Sequence, residues 1–165
     1  MTTSNTTIPM FVREAGRRYR PATRDEILVA AGSFMYRQML GETLRSPDHT
    51  SKYLTSYLGK LDYEVFGVIL LDNRHRIIHV EELFRGTIDG ASVHPREVVR
   101  LMILHTAAAI VLFHDPPSGN PEPSQADELI THRIRDAVGL IDARLLDHFI
   151  AAADRTVSFA ARGLL

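Results

Sequence analysis

His114, Ser124, Asp127 and Glu64 are the residues whose types and spacing suit metal-assisted hydrolysis. A catalytic zinc wants three protein ligands of nitrogen or oxygen type and one open position for water. His114 follows the apolar run Ala107 to Phe113, which reads as a buried strand, and can be the first ligand. Side chains two apart along an extended segment share a face, so the natural second ligand stands at position 116. Pro116 is there, and proline has no lone pair to offer. Asp127, in the first turn of the next helix, can be a further ligand. Ser124, one turn before it, can steady a developing oxyanion. Glu64 heads a buried apolar strand and can act as general base, its pKa raised by burial.

Each residue also has a plainer reading. Ser124-x-x-Asp127 has the spacing of a helix N-cap serine with an acidic third residue, close to a capping box. Glu64 at a strand start can be an ordinary solvated carboxylate, and His114 an ordinary core or surface histidine. The proline-rich loop from Pro116 to Pro123 can be a stiff surface connection.

The elements that must position these groups follow from periodicity. Thr23 and Glu26 have capping-box spacing, and Ile27, Leu28, Ala31, Phe34, Met35 and Met39 supply a helical apolar stripe. Ser46-Pro47-Asp48 breaks it, and a short helix follows with Tyr53, Leu54, Tyr57 and Leu58. Val65 to Leu71 reads as a buried strand. Asp72-Asn73-Arg74 is a turn, and Arg76 to Phe84 a partner strand. Asp89-Gly90 marks another turn. Pro95 opens a helix in which Val98, Leu101, Met102 and the run from Leu104 to Ala109 are expected to be largely buried. Ser124 starts the next helix, with Leu129, Ile130, Ile134, Val138 and Leu140 on its inner side. Leu145 to Ile150 and Thr156 to Phe159 read as strands around Asp154-Arg155. The whole is an α/β domain with an N-terminal helical extension.

Composition limits the function classes. The 165 residues suffice for one sizeable core, with a hydrophobic fraction of 45% and a charged fraction of 24%. A net charge of −1 excludes a whole-protein field for nucleic acid or anionic membrane. Arg13, Arg17, Arg18, Arg20 and Arg24 nevertheless make the N-terminal stretch locally basic, either a solvated tail or a phosphate-contacting arm. With no cysteine, disulfides, thiolate metal sites and cysteine catalysis are excluded. No signal-peptide core or membrane-length apolar run occurs, so a cytoplasmic location fits.

The run Glu81-Glu82-Leu83-Phe84-Arg85-Gly86-Thr87, then Val93-His94-Pro95-Arg96-Glu97, Pro117-Ser118-Gly119 with Pro123-Ser124 and Asp127, and Leu145-Leu146-Asp147-His148, resembles the RadC-type branch of the JAB/JAMM (MPN-plus) domain proteins. The likeness covers Leu61 to Leu165. The helical extension before Leu61 is similar to that of RadC-like proteins carried on mobile elements. The resemblance implies a cytidine-deaminase-like three-layer sandwich, a mixed β-sheet flanked by helices. Together with the arginine-rich N-terminal stretch, this gives three expected regions: a flexible basic arm over 1–22, a helical extension over 23–60 and a JAB/MPN domain over 61–165. The family's metallopeptidase motif is a distant glutamate, then His-x-His, seven residues, serine, two residues and aspartate. His114 matches the first histidine, Asp127 the aspartate ligand, Ser124 the serine and Glu64 the glutamate that activates the zinc-bound water. Pro117 to Pro123 supply the seven-residue spacing. The second histidine has become Pro116, and the usual His-Asn-His-Pro-Ser-Gly reads His-Asp-Pro-Pro-Ser-Gly.

An intact site of this type implies hydrolysis of a peptide or isopeptide bond, zinc lowering the pKa of its water to about 7. With Pro116, two ligands leave zinc weakly held or absent. Asp115, turned inward by a kink, or Glu64, His94, His105 or His148 can be a substitute donor. Two readings follow: a zinc-dependent hydrolase with a repaired ligand set, and a non-catalytic interaction module that binds protein or peptide partners. A third is nucleic-acid association through the arginine-rich stretch. Exposed strand edges make a homodimer an option.

Overall fold

The structure is a computed structural model that describes residues 10–13, 15–16, 18–27, 30, 40–58, 64–85, 93–116, 119–152 and 155–165. Several expectations lie outside these residues: residues 1–9, most of the apolar stripe between Leu28 and Met39, Leu61, the Asp89-Gly90 turn, Pro117 and Ser118 of the loop, and Asp154. The same holds for the side chain of Tyr57. Two compact units divide the chain, Met1–Arg37 and Gln38–Leu165.

In the first unit, β1 (Phe11–Arg13) and β2 (Tyr19–Pro21) pair antiparallel. The stretch read as a flexible arm over 1–22 therefore contains a short ribbon. Residues 24–27 are helical, and the expected cap forms: the Glu26 carboxylate accepts from the Thr23 amide at 2.9 Å, and the Thr23 hydroxyl accepts from the Glu26 amide at 3.3 Å. Arg20 grips the same carboxylate through both terminal guanidinium nitrogens, at 2.7 and 2.6 Å.

The second unit is built on five strands: β3 (Val65–Leu71), β4 (Ile77–Arg85), β5 (Ala109–Asp115), β6 (Arg144–Ala152) and β7 (Arg155–Ser158). Their order across the sheet is β4-β3-β5-β6-β7. Every pairing is antiparallel except β5 with β6, so the sheet is mixed. All seven residues of β3 are buried, the physical reason for its unbroken apolar run. The turn after β3 works as its residue types suggest: Asp72 Oδ1 accepts from the amides of Arg74 and Arg76 at 2.8 and 2.9 Å.

Among the described residues four helices accompany the sheet: α1 (Pro47–Leu58), α2 (Pro95–Leu104), α3 (Gln125–Gly139) and the short α4 (Phe159–Arg162). One sheet face carries Phe66, Val68, Leu70, Ile110 and Leu112, which form a core with Val98, Leu101 and Met102 of α2 and Ile134 and Val138 of α3. Helix α1 packs against β6 and β7. At the sheet centre Gly67 is needed for close approach. A Cβ there would lie 2.2 Å from a ring carbon of Phe113 and 2.7 Å from the Glu81 carbonyl oxygen. Among the described residues no helix is long and apolar enough to cross a membrane.

Three expectations fail here. Leu129 is 61% exposed and Leu140 88% exposed, not inward. The inner stripe of α3 runs through Thr131, Ile134 and Val138, and Leu140 lies beyond the last helical residue. Leu104 is exposed and is the last residue of α2, so the run to Ala109 does not extend the helix, which is buried along one side only. Phe159 does not continue β7. Ser158 accepts from the Ala161 amide at 3.0 Å and caps α4, whose first residue is Phe159.

Candidate functional site

Strand β5 delivers His114 to the end of the sheet, directly across from Phe66 on β3. Its side chain is buried, the residue being 4% exposed. The following loop leads into Ser124, the N-cap of α3, where a reciprocal capping box forms. Asp127 Oδ2 accepts from the Ser124 amide at 2.9 Å and from its hydroxyl at 2.6 Å, and the Ser124 hydroxyl accepts from the Asp127 amide at 3.2 Å. One carboxylate oxygen is thus occupied by the cap. The other, Oδ1, lies 3.2 Å from His114 Nδ1. That approach is close but off-line, and neither ring nitrogen of His114 makes an aligned hydrogen bond. Burial pushes the Asp127 carboxyl up, but the His114 ring and the Ser124 hydroxyl and amide outweigh it and hold the group well below the usual carboxylate range.

Glu64 is buried at the same sheet end. It precedes Val65, which pairs with Asp115, and so stands level with Pro116. The Asp115 carboxyl is pushed up, chiefly by burial and further by the charge of Glu64, with His114 opposing. The Pro116 carbonyl accepts from the Gly119 amide at 3.1 Å. The structure therefore brings His114, Asp127 and Ser124 into contact, with Glu64 and Asp115 at the adjoining strand ends. The capping interpretation of Ser124 holds, and it constrains the oxyanion role: the single hydroxyl proton is directed at Asp127.

Beneath this layer lies a pair that spacing did not reveal. His148 on β6 sits opposite Leu112, two residues deeper than His114, and is fully buried. Thr131, one helical turn after Asp127, donates its hydroxyl to the Asp127 carbonyl at 2.5 Å. That oxygen is then left to accept from His148 Nδ1 at 2.7 Å. This fixes His148 as the Nδ1–H tautomer, with an unpartnered Nε2. Burial, with a smaller push from His114, lowers the His148 pKa to about 3, against the pull of Asp127. The available signal was Thr131 itself, a polar residue in the apolar stripe of α3. His94 occupies the N-cap position of α2 without a side-chain capping bond, and His105 the C-cap position, where it stacks on His79 with ring centroids 4.1 Å apart. Neither is in contact with His114.

Among the described residues no three His, Asp or Glu side chains are grouped so as to hold a metal ion. The arrangement offers a buried imidazole against an ionised carboxylate, at the tip of a capped helix.

A family model described as the RadC-like JAB domain matches residues 44–164. A UPF0758 protein of Thioalkalivibrio sulfidiphilus is 58% identical over 125 residues, 76% of this chain and 56% of its own length. One from Xanthomonas axonopodis pv. citri is 56% identical over the same shares of both chains. A third, from Xanthomonas oryzae pv. oryzae, is 51% identical over 143 residues, 84% of this chain and 64% of its own. The chain thus spans less than two thirds of the length of these curated relatives. With its mixed sheet, flanking helices and His114–Asp127 pair at the sheet end, it belongs to the RadC-like JAB domain family.

Proposed function

We propose that this RadC-like JAB domain keeps the three-layer frame of the JAMM zinc hydrolases with an incomplete metal centre, and acts by binding a protein or peptide partner without cleaving it. The observation that carries this reading is the His114–Asp127 pair at 3.2 Å with proline at the position of the third donor. Loss of an outer partner of a metal ligand typically costs about 10–100-fold in affinity or activity, and loss of an inner imidazole costs more. A cavity of about 270 Å³ between β4 and α2, lined by Glu81, Phe84, His94, Glu97 and Arg100 among others, supports the binding role. It falls below the roughly 300–1,000 Å³ of small-molecule sites and suits one or two side chains of a peptide.

The test is metal content and amide-bond hydrolysis of protein purified without a His-tag. Substoichiometric zinc and no cleavage of peptide or isopeptide substrates are expected. Near-stoichiometric zinc that disappears in Asp127→Ala overturns the reading. That outcome would favour a second one, a zinc hydrolase with a substitute donor, which the buried ring nitrogens of His114, neither of them in an aligned hydrogen bond, support.

A further inference from the structure

The first unit carries a surface that the JAB fold does not explain. In the β1–β2 ribbon, Phe11 pairs with Pro21, Val12 with Arg20, and Arg13 with Tyr19. Directly opposed residues of an antiparallel pair project to the same side, and alternate pairs to opposite sides. One face therefore presents Phe11, Arg13, Tyr19 and Pro21, and the other Val12 and Arg20. The two faces differ in what they meet. Arg20 is tied bidentately to Glu26, and the Ala22 amide donates to the Met10 carbonyl at 2.8 Å. These contacts fasten the ribbon to the helical turn that follows it. The opposite face is free: Phe11 is 56% exposed and Tyr19 66% exposed, and Arg13 and Pro21 are exposed as well. Neither Arg13 nor the neighbouring exposed Arg18 is paired with a carboxylate among the described residues.

We propose that this face binds single-stranded nucleic acid, Phe11 and Tyr19 stacking on bases and Arg13 and Arg18 contacting the phosphates. Two exposed aromatic rings on a pinned ribbon cost apolar hydration unless a partner covers them. Unpaired arginines beside them select an anionic partner, and the flat π-faces suit stacking on bases. Phe11 and Tyr19 are diagonal neighbours across the ribbon, roughly 7–8 Å apart at the backbone, so consecutive bases of a flexible strand can reach both. A duplex hides its base faces within the stack, so it offers the rings nothing while still attracting the arginines.

The experiment is fluorescence anisotropy of the full chain with a labelled mixed-sequence 12-mer, as DNA and as RNA, at 50 and 200 mM salt. The proposal expects binding of at least one strand type that weakens as salt rises. Arg13→Gln should lower the magnitude of the log–log salt slope by about 0.7. Phe11→Ser and Tyr19→Ser should each weaken binding about tenfold, with an unchanged melting temperature for the second unit. Arg45→Gln, an exposed arginine elsewhere, controls for bulk charge. No anisotropy change up to about 100 μM protein overturns the proposal. So does binding that survives both serine variants, or an equal or greater affinity for the duplex of the same sequence. Capture by anionic lipid vesicles that depends on Phe11 and Tyr19, with no strand binding, would reassign the face to a membrane surface and also overturns it.

Discussion

His148 offers the sharpest quantitative test, because its burial turns proton uptake into a measurable stability loss. The folded chain holds this histidine neutral down to about pH 3, against an ordinary value of 6.5. The unfolded chain accepts the proton near pH 6.5, so acidification favours unfolding. The contribution of His148 is complete above pH 6.5 and is lost as pH falls from there toward 3. Each pH unit within that window costs about 1.36 kcal/mol, so moving from about pH 7.5 to 5.0 removes about 2 kcal/mol. The carboxyl of Asp127, held low, titrates beneath this range and does not interfere. His148→Asn is the informative variant. Its amide nitrogen can occupy the place of Nδ1 and still donate to Thr131, but it cannot titrate. Urea unfolding at the two pH values reads the difference. With a slope of about 1–3 kcal/mol per molar urea, the wild-type midpoint should fall by about 1 M more than that of the variant. Equal falls for the two proteins would refute a buried neutral His148, whatever the absolute stability of the variant.

Two further substitutions probe the frame. Gly67→Ala places a methyl against the Phe113 ring and the Glu81 carbonyl in the middle of the sheet, where backbone cannot give way. It should destabilise by about 1–3 kcal/mol or prevent folding, as thermal melts would report. Ser124→Ala removes both halves of the serine contribution to the capping box and should cost about 1 kcal/mol. It should also raise the Asp127 pKa toward the ordinary carboxylate value, visible in a carboxyl NMR titration. An unmoved Asp127 would mean that the Ser124 hydroxyl does not hold it.

The sheet was legible where burial leaves an unambiguous pattern. Strand β3 is covered on every side, so its seven residues are uniformly apolar. The start of α3 was legible because capping chemistry is local: Ser124 and Asp127 sit three apart and satisfy each other. Apolar identity alone misled at Leu129, Leu140 and Leu104, which a folded surface tolerates without consequence. Phe159 misled because a buried aromatic suits a strand end and a helix start equally. Contacts made by long-range packing left only half a trace: Thr131 stands out as a polar residue in the apolar stripe of α3, but nothing local names its partner. Thr131 and His148 are 17 residues apart and meet only because α3 returns the chain to a strand parallel to β5. The capping and metal-site readings of Ser124 and Asp127 cannot be separated by spacing, since both demand the same residues at the same offset.

The central claim is that one missing imidazole accounts for an incomplete metal centre in an otherwise intact frame. Calorimetric zinc titration of the wild-type chain and Pro116→His, side by side in a chelator-free buffer, tests it most directly. The account predicts weak or undetectable binding by the wild type and strong, near-stoichiometric binding by the variant, lost again when Asp127→Ala is added. Tight zinc binding by the wild type, or the same weak affinity in both proteins, would contradict it.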